Sequence, residues 1–213
     1  ALARIQPSFL DPKRFFDVNA SGTSNVLALA KKFGVKRIVY SASSSAYGDQ
    51  PHDTLTEDLR IMSQAFNPYA STKRMGEMLM RDMGTMTGGP ETVCLRYFNV
   101  YGPRQTATAD GPYATVVGIF LDLASQGKPL TVVPDGQQRR DYTWVGDIVR
   151  ANLAAASSEK VGAGEIINIG SGENYTVWDV AKFVLREDKD TTPEELLASK
   201  KCVLVEPRRG EAR

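Results

Sequence analysis

Tyr69 and Lys73 stand four residues apart in the stretch Asn67-Pro68-Tyr69-Ala70-Ser71-Thr72-Lys73. Asn67 suits the N-cap of a helix, and Pro68 suits its first position, where a missing N–H costs nothing. On that helix the phenol and the ammonium share one face. A free phenol has a pKa near ~10 and is a poor base at neutral pH. An ammonium one turn away favours the phenolate, and a further cation beside it would favour it more. Such a tyrosine can take the proton of an alcohol while hydride leaves the carbon that bears it. Hydroxyls are supplied upstream: Lys36–Ala42 reads as a buried strand and empties into Ser43-Ser44-Ser45, with Ser43 placed 26 residues before Tyr69. A serine there can bond the reacting oxygen and relay the proton. Alone, Tyr-x-x-x-Lys describes two residues on a helix surface; the serine-rich strand end turns the reading towards proton transfer.

These groups need a frame. Residues 12–33 read as a long helix, with Asp11 as cap ahead of Pro12 and Gly34 as stop. The strand 36–42 is apolar on both faces, as in a parallel sheet, and helix–strand alternation predicts an α/β fold. Residues 48–66 form a polar loop in which His52 reads as a surface residue. The Tyr69 helix runs to about Met83, and Met75, Met78, Leu79 and Met83 recur at helical spacing, a pattern for core or dimer packing. Glu91–Tyr97 is the next strand. It ends in Phe98-Asn99-Val100-Tyr101-Gly102-Pro103, and carboxyl ends of such strands are where α/β sheets take ligands. Beyond Arg104 the spacing predicts a helix over 113–126, a strand over 130–133 and an extended segment over 139–145. Asp147 is placed to cap the following helix. Ile166–Ile169 is a strand, and Gly170-Ser171-Gly172 reads as a tight turn rather than a phosphate loop, because Tyr175 stands where a third glycine belongs. Helices are predicted over 176–187, with Thr176 as cap, and 193–199, then a strand over 201–205.

Composition excludes several classes. The chain has 213 residues, 42% hydrophobic and 24% charged, which is enough apolar content for a core. A net charge of +1 offers no footprint for nucleic acid or an anionic membrane. Two cysteines, Cys94 and Cys202, do not make a disulfide scaffold, and Cys94 reads as a buried free thiol. One histidine and no Cys/His cluster predict no metal site. No apolar run approaches ~18 residues, so no membrane span is expected, and the location read from this is cytoplasmic.

Several motifs occur in order: Ser45-Ala46-Tyr47-Gly48-Asp49, Tyr69-x-x-x-Lys73, Leu95-Arg96-Tyr97-Phe98-Asn99-Val100-Tyr101-Gly102, Asp135-Gly136, Arg140-Asp141-Tyr142-x-x-Val145-x-Asp147 and Asn168-Ile169-Gly170. Together they resemble the extended short-chain dehydrogenase/reductase family, in its NAD-dependent sugar epimerase/dehydratase branch, most of all the UDP-hexose and UDP-N-acetylhexosamine 4-epimerases. The resemblance implies a Rossmann-like doubly wound parallel sheet with its N-terminal part absent, joined to a smaller α/β substrate-binding domain. Residues 1–104 would be the C-terminal half of the NAD-binding domain and 105–213 the nucleotide-sugar domain, with 140–158 packing back on the first. It implies Ser43, Tyr69 and Lys73 as the reacting set, with Ser44 the runner-up for the relay. Tyr69, Lys73 and Phe98 would meet NAD, and Asn19 would either touch the cofactor region or serve a structural polar role. Asn99, Thr115, Val116, Thr131 and Val133 would contribute to substrate binding, Arg140 and Arg208 to the diphosphate or ribose, and Glu211 to the ribose hydroxyls. The implied partner is a UDP-sugar, and the implied assembly a homodimer in which helices 12–33 and 68–83 pair as a four-helix bundle. The family's Gly-x-x-Gly-x-x-Gly turn does not occur in the sequence, so the chain is expected to be a fragment.

Within the resemblance, the serine run discriminates. Dehydratases of the branch carry Thr-Asp-Glu where this chain has Ser43-Ser44-Ser45, and elimination of water needs those carboxylates. The expectation is therefore hydride removal and return, as in a 4-epimerase. Another nucleotide-sugar epimerase or a decarboxylase stays open as an alternative. So does a nonenzymatic NAD(P)-sensing protein, although Tyr69, Lys73 and Ser43 occurring together speak against it. The isolated chain is expected to be inactive without the glycine turn.

Overall fold

A computed structural model describes residues 1–48, 50, 54–59, 61, 67–105 and 114–207. Three strands, β1 (Arg37–Ser43), β2 (Glu91–Tyr97) and β6 (Ala163–Ile169), form a parallel sheet in the order β1-β2-β6. Successive side chains on a strand point to opposite faces, and both faces here are apolar. Ile38, Tyr40, Ala42, Cys94 and Ile166 pack on one face with Leu27 and Met80 from the helices α3 (Gly22–Lys32) and α4 (Pro68–Thr85). Val39, Val93, Leu95 and Ile167 pack on the other with Ala151 and Ala155 of α6 (Val145–Ser157). Helices on both faces of a parallel sheet make the predicted Rossmann-like doubly wound arrangement. Arg37 closes one end of it, donating to the carbonyls of Ala155, Ser158 and Val161 where α6 has run out of N–H partners.

The long helix expected over 12–33 is one continuous rod in three parts: α2 (Pro12–Phe15), a π-helical turn (Phe16–Ser21) and α3. Asp11 caps it through the Arg14 N–H, as expected. A short helix, α1 (Ile5–Leu10), precedes it.

The second body of structure surrounds a separate apolar cluster. Helices α5 (Val116–Ser125), α7 (Val177–Leu185) and α8 (Pro193–Ala198) cover the strand pair β4 (Leu130–Val132) and β8 (Cys202–Leu204). Phe120, Leu130, Val132, Trp178, Leu196 and Cys202 fill it. Helices α7 and α8 each begin with a capping box, Thr176 with Asp179 and Thr192 with Glu195. Between the two bodies, β5 (Arg139–Trp144) pairs in parallel with β3 (Asn99–Tyr101) and antiparallel with β7 (Asn174–Thr176).

Two expected helix starts differ. Helix α5 begins at Val116 behind a Thr115 cap. Helix α6 begins at Val145, and Asp147 lies inside its first turn, paired with Arg150, rather than capping it. An acid in the first turn and an acid at the cap both favour the same helix dipole, so local chemistry alone does not separate them.

Helix α4 touches the sheet through two glycines. A Cβ on Gly84 would lie 2.8 Å from the Gly164 nitrogen, and one on Gly164, whose φ is +88°, would lie 2.8 Å from Cα of Arg81. Gly164→Ala is therefore expected to destabilise the chain by roughly 2–5 kcal/mol, the sum of overpacking and left-handed backbone. Gly127→Ala, with φ +64° but nothing within 4 Å, should cost only the backbone part, roughly 1–2 kcal/mol. Paired thermal melts check the difference.

Candidate active site

Strand β1 ends at Ser43, and the chain tightens at once into a 3-10 turn, Ser44–Tyr47. Ser43 caps this turn: its Oγ accepts from the Ser45 N–H at 3.2 Å and donates to Ser45 Oγ at 3.1 Å. Tyr47 anchors the far end. It is fully buried, and its hydroxyl donates to Asn168 Oδ1 on β6 at 2.8 Å. Helix α4 starts as the sequence predicts, with Asn67 Oδ1 accepting the Ala70 N–H at 2.8 Å and Pro68 in the first turn. That start places Tyr69 beside Ser43, on the wall of the same cleft, close enough for the Ser43 hydroxyl to act on the phenol. The Phe15 ring meets the Tyr69 ring edge-on, with centroids 6.4 Å apart.

Lys73 lies one turn further along. Its Nζ donates to the Ser41 carbonyl at 2.7 Å and sits 5.1 Å from the centroid of the Tyr40 ring. Burial pushes its pKa from the ordinary 10.5 down to about 8, against the charge of Glu77. Tyr69 moves the other way. Burial raises its pKa, while the Ser43 hydroxyl and the charge of Arg4 act to lower it. The expectation that Lys73 favours the Tyr69 phenolate is thus not what dominates. Desolvation of the phenol is the larger effect, and the groups that oppose it are Ser43 and Arg4.

Tyr69 and the serines open onto a cleft of about 510 Å³ between the carboxyl ends of β1 and β2 and the second body. Ser43, Ser44, Ser45 and Tyr69 line one side, and Phe98 and Asn99 continue it past the end of β2. Thr115, Val116, Thr131, Val133 and Arg140 line the other side. Several of these are already engaged. Asn99 Nδ2 donates to the Asp141 carbonyl at 3.0 Å, Thr115 caps α5, and Arg140 Nη1 donates to the Arg139 carbonyl at 2.7 Å. Lys73 faces a different, smaller cavity of about 380 Å³ beside β1.

Asn19 does not line the cleft. It is buried in the π-helical turn, and its amide bonds both the N–H and the carbonyl of Leu2 and the Thr72 hydroxyl. It ties the N-terminal segment to α4. Arg208 and Glu211 lie outside the described residues, as does His52. The Gly170–Gly172 turn holds an anion of its own: the N–H groups of Ser171 and Gly172 and the Ser171 hydroxyl all donate to the Asp141 carboxylate at 2.9 Å.

Sequence reasoning missed three contributors. Arg4 and Gln138 line the cleft; Arg4 has φ +83°, an uncommon backbone for a non-glycine residue, and nothing in the residue pattern marks it. The third is a buried ion pair, Glu77 with Arg96. Its signal was present, since a charged residue inside the apolar strand 91–97 demands a partner. Among the described residues no group of acids, histidines and cysteines could hold a metal ion. Nor is any helix there long and apolar enough to cross a membrane.

The profile of the NAD dependent epimerase/dehydratase family matches residues 1–170. The chain is 38% identical over 171 residues to a UDP-N-acetyl-alpha-D-glucosaminuronate decarboxylase of Bacillus cytotoxicus, covering 79% of this chain and 51% of that protein. It is 37% identical over 174 residues to a UDP-glucuronate 4-epimerase of Thermodesulfobacterium geofontis, covering 82% and 50%. Among solved structures, the UDP-glucose 4-epimerase of Thermus thermophilus in complex with NAD superposes with a TM-score of 0.81 at 30% identity, over 100% of this chain and 65% of that one. The chain spans about half the length of the curated relatives named here.

Two measurements follow from the electrostatics. Ser43→Ala removes a hydroxyl that acts to lower the Tyr69 pKa, so the Tyr69 ionisation midpoint should rise further, whereas Ser44→Ala should leave it in place; ultraviolet difference titration reads both. For Lys73 the folded pKa, about 8, lies below the ordinary 10.5. Between these values the unfolded chain binds the extra proton, so stability from this group rises with pH across that window. Lys73→Met should therefore stabilise the chain most below pH 8, and the gain should fade as pH approaches 10.5, as denaturant titrations at stepped pH will show.

Proposed function

Because the chain belongs to the NAD dependent epimerase/dehydratase family, we propose that it carries the reacting groups of a nucleotide-sugar 4-epimerase. The observation that supports this most is one cleft lined by Ser43, Tyr69 and Arg140, in which the Ser43 hydroxyl acts to lower the Tyr69 pKa. A phenol and a relay hydroxyl facing a guanidinium suit a molecule with an alcohol at one end and a diphosphate at the other. NAD, when bound, accepts and returns the hydride of the sugar C4. Tyr69 and Phe98 line the cleft at the strand ends where a doubly wound sheet takes a dinucleotide and would meet its nicotinamide half, while Lys73, one turn along α4, lies beside β1 on the smaller cavity. The sequence has no Gly-x-x-Gly-x-x-Gly turn to fit the pyrophosphate. Asn19 has its amide committed to Leu2 and Thr72 and is not placed to hold the cofactor.

In the proposed reaction Tyr69 takes the O4 proton, with Ser43 bonded to the same oxygen as relay. The resulting 4-keto sugar turns about its diphosphate linkage while Arg140 keeps the diphosphate in place. Tyr69 then returns the proton to O4 on the epimer. No carboxylate stands in Ser43-Ser44-Ser45, so elimination of water lacks its acid and base there. A second reading, action on a uronate by epimerisation or decarboxylation, is favoured by Arg4, a second cation in the cleft beside Tyr69. The identities with the decarboxylase and the uronate epimerase support it too. Both readings begin with the same oxidation at C4.

We also propose a homodimer. Val26, Leu29 and Phe33 on and just beyond α3, and Met75 and Met78 on α4, are apolar residues 42–72% exposed, a patch that marks an interface.

The test is product analysis by NMR with the full-length protein, NAD and UDP-glucose, UDP-N-acetylglucosamine or UDP-glucuronate. The C4 epimer is expected, and Tyr69→Phe should lower the rate about 10²–10⁴-fold. Carbon dioxide release from the uronate would favour the second reading, and no turnover of any nucleotide sugar would refute both. For the dimer, Leu29→Glu with Met78→Glu should halve the sedimenting mass.

A further inference from the structure

Arg96 sits in the middle of β2 with 1% of its surface exposed. Its Nε and Nη2 donate to the two oxygens of Glu77 at 2.8 and 2.7 Å, and Glu77 is likewise buried on α4. The guanidinium lies 4.4 Å from the centroid of the Tyr47 ring, the residue that closes the serine turn. Nearby, Arg74 Nε donates to the Ala46 carbonyl of that turn at 2.6 Å. Helix α4 therefore grips the serine turn from below at two points, and it is the helix that carries Tyr69 and Lys73. Glu77 stands one helical turn past Lys73.

We infer that Glu77 is a positioning residue for the candidate site: it supplies the negative charge facing Lys73 and, through Arg96 and Tyr47, fixes the serine turn against α4. The inference rests on reading Ser43, Tyr69 and Lys73 as the reacting groups. The titratable groups set against Lys73 are Tyr69 and Glu77 on its own helix, Tyr40 on β1, whose ring centroid lies 5.1 Å from its Nζ, and the amino terminus of Ala1 on the cavity that Lys73 lines. The acids of the other packed elements are engaged elsewhere, Asp17 with Lys13 and Glu165 with the Gly162 N–H. Burial holds Cys94 protonated, up to about 12, and raises Tyr40 as well. Glu77 is the carboxylate whose charge acts on Lys73. A buried amine left without it would shed its proton at lower pH and lose the ammonium that a phenol-based proton transfer needs.

The experiment is a 13C NMR titration of the lysine side chains in the 213-residue chain, with Lys73 assigned through Lys73→Met. In the unaltered chain Lys73 should titrate near 8. In Glu77→Gln the midpoint should fall by about one unit, raising the free-amine fraction at neutral pH roughly fivefold. Glu77→Gln leaves a buried guanidinium unpaired and can fail to fold. Glu77→Met with Arg96→Met removes both charges at once, keeps an apolar interior and should lower the midpoint as well. In that double variant the Ser45 and Gly48 amide protons, held now by Ser43 Oγ and the Ser45 carbonyl, should exchange at least tenfold faster. Glu77→Asp keeps the charge and should keep the midpoint near 8. A midpoint unchanged in the charge-removing variants, or one that falls equally in Glu77→Asp, overturns the inference. Full-length protein that turns over no nucleotide sugar while Lys73 still shifts would refute the proposed function, and with it the catalytic meaning of the inference, and leave only the electrostatic hold of Glu77 on Lys73.

Discussion

A guanidinium inside an apolar sheet is tolerated only when its charge is met and its donors are placed. Arg96 meets that condition through Glu77, and much of the site is arranged around the pair. The pair fixes the distance between α4 and β2 near its middle, while Gly84 and Gly164 set the spacing of α4 from β6 at its end. With both points set, the first turn of α4 has little freedom relative to the end of β1. That is why a hydroxyl on one element and a phenol on the other line the same cleft although 26 residues separate them in sequence.

Burial acts on the two titratable groups in opposite senses. It raises the phenol and lowers the ammonium, so each is driven towards its neutral form. Proton transfer at neutral pH needs the reverse. The charges nearest at hand, Arg4 for Tyr69 and Glu77 for Lys73, oppose desolvation without overcoming it. A positively charged ring beside Tyr69 would add to Arg4, so the balance is one that an incoming cation can tip.

Much of this was legible locally. Glu91–Tyr97 is predicted and observed with the same bounds, because an apolar run between a proline and an aromatic turn leaves little choice. The Asn67-Pro68 start and the Thr176 cap are signals in side-chain chemistry, and they hold. What was not legible depends on distant partners. The π-helical turn at Phe16–Ser21 is invisible to a 3.6-residue pattern, and Asn19 is placed by Leu2 and Thr72. The cleft-lining position of Arg4 comes from a backbone conformation its residue type does not announce. Glu77 reads as a polar helix residue until Arg96 is brought opposite it.

The Gly170–Gly172 turn has a consequence for how tightly the cleft can bind. Its N–H donors already hold Asp141, an anion tethered on the neighbouring strand at a local concentration no dissolved phosphate can match. A free anion is therefore outcompeted there before it arrives. What the turn provides instead is rigidity one residue from Arg140: the strand is locked in register by its neighbour's carboxylate. The ordering of that strand is then complete before any ligand binds, so a ligand that met Arg140 would spend none of its binding free energy on immobilising the backbone.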